Sequence, residues 1–230
     1  DANTQTVTVN HKMTGVQVQP VIKALLNKDM VNGKGNVGIN VRTKGNTVSQ
    51  MKAALDGKVS VSLQDGAIKG INLAERFRNA KSLLSTGNNA TQKADGTQQT
   101  DFSSLAVSFD IKNGVASSAD LNLMAPLFRV GGAGQINLVN NSLEYVSKVS
   151  IVATSTGQGG KTLDSGLNGV TVPVRLFGPF DGLQWELQFR DLAKDAAKAR
   201  LQPQIDEKRE ELKGKAEEKI KDALKGFLNR

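Results

Sequence analysis

The 230-residue sequence predicts a mainly β protein with helices, of α+β type, built round a curved antiparallel sheet that is partly open or groove-like. Apolar residues fall on every second position in many short runs, as in Val59, Val61 and Leu63 and again in Val107, Phe109 and Ile111, which makes one strand face greasy and the other wet. Turn dipeptides separate the runs. Asp65-Gly66 and Asn113-Gly114 read as the tight turns of two matching hairpins, Val59–Leu73 and Val107–Leu123, because both supply the positive φ that a two-residue turn needs. Third, hydrophobic residues are only 38% of the chain and aromatics 4%, so the apolar supply suffices only if it is concentrated on one face.

An opening strand pattern (Val7, Val9) leads into a short helix over Pro20–Asn27, with Pro in its first turn and Val21, Ile22, Leu25 and Leu26 as an apolar stripe. A strand follows in which Val37, Ile39 and Val41 alternate with Asn36, Gly38, Asn40 and Arg42, closed by a turn at Lys44-Gly45-Asn46. After the first hairpin, Asn72 and Glu75 have the spacing of a capping box, and Leu73, Phe77, Ala80 and Leu84 share one face of a second amphipathic helix. Residues 86–99 turn to Gly, Asn, Thr and Gln without periodicity and are expected to be a mobile surface loop.

The second half reads as an antiparallel meander: Leu105–Ile111, Leu121–Leu123, Phe128–Leu138, Leu143–Ala153, Val170–Leu176 and Leu183–Phe189 alternate between turns at Asn113-Gly114, Asn140-Asn141, Asn168-Gly169 and Gly178-Pro179. Gly131, Gly132 and Gly134 predict a bulge or bend within one of these strands. From residue 190 the period changes from two to about 3.6. A charged amphipathic helical tail over 190–230, kinked or broken near Pro203, therefore follows a β-rich domain over 1–189.

The formal charge is +8, but the tail holds 12 basic and 9 acidic residues and the rest 18 and 13, so no basic block stands out and no aromatics interleave with Arg as base stacking requires. Nucleic acid is not the expected partner. With no Cys and a single His, His11, thiolate metal sites and Ser-His or Cys-His nucleophile pairs are excluded, and no metal or cofactor is expected. The Gly33–Gly38 run superficially matches a phosphate loop, yet it opens a strand rather than a helix. Asp110, Asp120 and Asp181 fall at turns or on polar faces, with no carboxylate pair in an apolar setting. The expectation is a protein that is not an enzyme. No apolar run of 18 residues is present, and the chain enters a strand pattern directly without an initiator Met, so it reads as a piece of a longer protein.

The segments Gly33–Gly45, Leu55–Leu73, Thr100–Leu105, Asn113–Val115, Pro126–Leu138 and Val172–Gly178, in that order, resemble the C-terminal part of the AsmA family of Gram-negative envelope proteins, the likeness covering about Val7 to Phe189. The resemblance implies an inner-membrane protein held by an N-terminal anchor absent from this fragment, with its bulk in the periplasm. It also implies a role in outer-membrane assembly, and relatives such as TamB-like proteins imply an elongated β-structure whose apolar groove carries phospholipid between membranes. The residues that map onto such a groove are Val37, Ile39, Val41, Val59, Val61, Leu63, Leu105, Val107, Phe109, Ile111, Leu121 and Leu123. Phospholipid acyl chains are then the expected partner. The alternatives are that helices cover this face as an ordinary core, or that the module is a scaffold whose tail helix or strand edges dock an envelope protein.

Overall fold

A computed structural model describes residues 5–78, 91–152 and 171–188. The expected tail helix with its break near Pro203, residues 79–84 of the second helix, residues 86–90 of the loop and the Asn168-Gly169 turn lie outside the described residues. Within them the elements are β1 (Thr6–Gln17), α1 (Val18–Leu26), β2 (Val31–Lys44), α2 (Val48–Ala53), β3 (Asp56–Gly70), α3 (Leu73–Arg78), β4 (Gln92–Lys93), β5 (Asp95–Lys112), β6 (Val115–Met124), β7 (Phe128–Asn137), β8 (Ser142–Ile151), β9 (Thr171–Pro179) and β10 (Gln184–Leu187). The strands form one large open sheet in the order β1-β2-β3-β5-β6-β7-β8-β9-β10-β4, and neighbours pair antiparallel, as short connections between consecutive strands require.

The two look-alike hairpin sequences fold differently. Asn113 (φ 49°) and Gly114 (φ 75°) both adopt the left-handed conformation, and the chain reverses between β5 and β6. At the first site only Asp65 does so (φ 48°), and β3 runs straight through. A type I′ turn needs positive φ at both central residues, so one such residue yields a bulge instead, seen as the register shift against β2 between Asn32 and Lys34. Gly66 serves close approach: a Cβ there would lie 2.2 Å from the Asn32 carbonyl oxygen and 2.5 Å from Phe102 Cζ.

Three further expectations are corrected. The Lys44-Gly45-Asn46 turn opens into α2, capped by Thr47, whose Oγ1 accepts from the Gln50 N–H at 3.2 Å. Residues 92–93 and 95–99 are strand rather than loop, because pairing with β10 and β3 supplies the backbone partners that their composition does not advertise. The irregularity expected at Gly131–Gly134 lies one strand over: β7 pairs with β8 without a shift, and the extra residue is in β6 between Ser118 and Leu121. Gly134 is instead a packing requirement, since a Cβ there would lie 2.5 Å from Tyr145 Cδ2. Both predicted helices are present in the described residues, and Asn72 caps α3 by accepting from the Glu75 N–H at 3.0 Å.

Curvature follows from where α1 sits. It packs on β2, while its Leu26 packs against Leu143, Tyr145 and Phe180 of the β8–β10 region, together with Leu121, Ile136 and Leu176. Five strand spacings separate β2 from β8, about 24 Å across a flat sheet, whereas a nine-residue helix is about 14 Å long. The sheet therefore curls, apolar face inward, round α1. At one end β10 pairs with β4, which is separated from β5 by Ala94 alone, so the ladder returns to its own middle there. That end holds the most completely buried large side chains, Trp185, Phe77, Phe128 and Leu127, with the Phe77 and Phe128 rings 5.4 Å apart.

Candidate functional site

Cross-strand register places all twelve candidate residues on one face. Leu63, Leu105 and Leu123 are consecutive partners in a row that continues through Val130, Val149 and Val172, and every member is buried. The next rows are Val37–Val61–Val107 and Ile39–Val59–Phe109, then Val41–Gly57–Ile111. In these only Val37 and Ile111 are buried; Ile39, Val41, Val59, Val61, Val107 and Phe109 are half-buried, as is Leu121 opposite Gly132. The face is thus graded, a closed core at the β4–β10 end passing into a half-open apolar band across β2, β3 and β5 that extends to exposed Val7 and Val9 on the edge strand β1. Identical alternation has two outcomes because burial depends on what lies over each row, not on the row's own sequence.

An open hollow of about 680 Å³ lies on the opposite face. Its outermost residues on each strand are even-numbered (Asn10 and Lys12, Asn36 and Asn40, Lys58 and Ser62, Ala106 and Asp110), so its wall side chains are polar apart from Ala106, and alternation turns the side chains of the apolar residues between them to the other face. Its floor, at Gly38, Ser60 and Ser108, is low because those residues are small.

The seam between β5 and β6 carries a polar network that sequence reasoning missed. The ladder skips residues 107–109 of β5, and Asp120 fills the gap: its carboxylate accepts from the Ser108 N–H at 2.9 Å and from the Ser108 hydroxyl, and also from Ser118 Oγ at 3.2 Å. These bonds, the Ser108 hydroxyl first, hold the Asp120 carboxyl below the usual carboxylate range. Buried Ser118 in turn meets Tyr145 Oη at 3.1 Å, and burial pushes that phenol up. Two serines and an aspartate spaced over Ser108–Asp120 resemble ordinary strand decoration, so only the bulge reveals their role. Asp181 ion-pairs with Lys28, and Asp110 with Lys58 at 2.8 Å. His11, opposite Ile39, is exposed. Among the described residues no three acidic or His side chains gather to hold a metal, and no helix is long and apolar enough to cross a membrane.

Residues 1–121, just over half of the chain, match the sequence model of the AsmA family. The chain belongs to the AsmA family. It is similar to protein AsmA of Escherichia coli (strain K12), with 21% identity over 213 residues that cover 91% of this chain and 34% of that protein. The chain therefore spans about a third of the length of the curated relative it matches. No solved structure matches it. The family match runs from β1 to Leu121 within β6, which includes the whole half-open band.

Proposed function

We propose that this chain is a non-enzymatic, lipid-handling module of a periplasmic protein tethered to the inner membrane, in which the half-open apolar band holds phospholipid acyl chains during outer-membrane assembly. One observation carries this reading: Ile39, Val41, Val59, Val61, Val107 and Phe109 form a contiguous apolar surface only half withdrawn from water, toward the β1 edge of a sheet whose adjoining row is fully buried. Burying a methylene contributes about 0.8 kcal/mol, so half-burying the roughly 14 methylenes of a common acyl chain supplies on the order of 5–6 kcal/mol, enough to hold it without a headgroup contact. The curl of the sheet supports the reading, since it makes that face concave. Extraction and mass spectrometry of lipid from the purified chain test it. Phospholipid should be recovered from the wild type and be depleted at least fivefold in Val61→Asp/Val107→Asp, and lipid-free wild-type protein after expression in a Gram-negative host would sink the idea.

A second reading is favoured by the sheet edge. β1 is twelve residues long, exposed over most of its length and, from Val7 onward, an edge of the sheet among the described residues, with Lys12 its single charged side chain and a bulge only near Gly15. Such an edge accepts an added strand, which suits a scaffold that docks an extended segment of an envelope protein.

A further inference from the structure

We propose that α1 and the strap Asn27–Met30 form a latch on the apolar face, and that Leu26 occupies in the empty protein a seat that an acyl chain takes when the latch lifts. This rests on the acyl-chain reading above and adds a moving part to it. The seat is largely apolar: Leu26 packs on the buried cluster of Leu143, Tyr145 and Phe180, against which Leu121 and Leu176 also pack, and the four of these that lie on strands stand on the same face as the half-open band. A displaced leucine and an incoming methylene chain are chemically equivalent occupants, so vacating the seat costs little once lipid replaces the side chain.

The helix is poorly self-sufficient. Val18, Val21 and Ile22 are β-branched, the N-cap residue Gln17 makes no side-chain cap bond, and nine residues are too few for a stable isolated helix. What holds it is tertiary, and much of that is polar. Lys28 pairs with Asp181 beyond β9, and Asp29 with Lys69 of β3 at 2.5 Å, while Gln19 Nε2 donates to Asp29 at 2.9 Å. The strap thus joins two regions of the curled sheet: β3, where Lys69 is 24% and Asp29 39% exposed and the Lys69 N–H donates to the Met30 carbonyl at 2.8 Å, and the β9–β10 turn, where Asp181 is 88% exposed and Lys28 30%. Exposed pairs of this kind hold a geometry weakly and yield to salt. At its other end α1 begins at buried Val18 and follows directly on β1, an edge strand of the sheet among the described residues. A segment with an apolar seat and polar ties that water reaches is built to leave and return.

The chain has no Cys, so two can be placed cleanly. In the Lys28→Cys/Asp181→Cys variant, a short bis-maleimide fixes the strap to the β9–β10 turn, and uptake of a fluorescent phosphatidylethanolamine from vesicles is timed with and without the bridge. Bridging should slow uptake at least tenfold; Leu26→Ala, and Lys28→Glu alone, should speed it two- to fivefold, with Lys28→Glu/Asp181→Lys returning it to the wild-type rate. Fluorescence of Trp185 in urea checks that each variant is folded. Wild-type protein that takes up no lipid overturns the acyl reading and the latch together, whereas uptake that bridging leaves unchanged overturns the latch alone.

Discussion

Leu63 and Val61 are two residues apart on β3 and point the same way, yet the graded face predicts very different costs for shortening them. Leu63 is 1% exposed and sits between Gly35 and Leu105 at the start of the buried row, so Leu63→Ala removes buried carbon and leaves a hole that the neighbouring strands cannot close. Such truncations cost about 3 kcal/mol. Val61 lies between Val37 and Val107 and is half-buried, so Val61→Ala gives up only part of two methyl groups' transfer energy, about 1 kcal/mol or less, and leaves no enclosed cavity. Urea unfolding followed by the fluorescence of Trp185, the sole tryptophan and 1% exposed at the closed end, reads both. With a slope of about 2 kcal/mol per molar urea, the midpoint should fall by about 1.5 M for Leu63→Ala and by about 0.5 M or less for Val61→Ala. Equal shifts would mean that Val61 is as covered as Leu63, and the half-open band would be a core.

Three other outcomes follow from the packing. Gly134→Ala should destabilise by about 1–3 kcal/mol, visible in thermal melts, because the new Cβ would fall 2.5 Å from Tyr145 Cδ2 and 2.5 Å from the Glu144 carbonyl oxygen; an unchanged melt would show that Tyr145 does not lie over the glycine. Asp120 has a folded pKa below its unfolded value, so its stabilisation is present in full above about pH 4 and is lost as pH falls through the folded value; Asp120→Asn should flatten the acid limb of a stability-versus-pH curve, and a superimposable limb refutes the assignment. Asn72→Ala removes the acceptor for the Glu75 N–H and should cost about 1 kcal/mol, with hydrogen exchange faster in the first turn of α3 and unchanged in β8.

Several elements were legible because they depend on neighbours in the chain. The strands β5 to β10, the Asn113-Gly114 turn, both predicted helices and the alternation that puts all twelve candidates on one face follow from period, cap and turn chemistry over a few residues. The matching Asp65-Gly66 pair shows the limit. Its local preference was met, with Asp65 left-handed, but the pairing of β3 with β2 and β5 on both sides kept the chain extended and turned the irregularity into a bulge. Residues 92–99 became strand for the same reason, since a polar, glycine-containing run pairs when β10 and β3 present it with open backbone groups.

The sequence by itself determined which face of the sheet is apolar, because side-chain alternation has a period of two and needs no partner to be read. Only the tertiary structure decided how much of that face is withdrawn from water. Burial of Leu63 but not of Val61, the seat of Leu26 on Tyr145 and the replacement of a ladder bond by Asp120 all depend on strands and helices that meet across long stretches of chain. Such contacts arise from curvature and register, which no single segment carries.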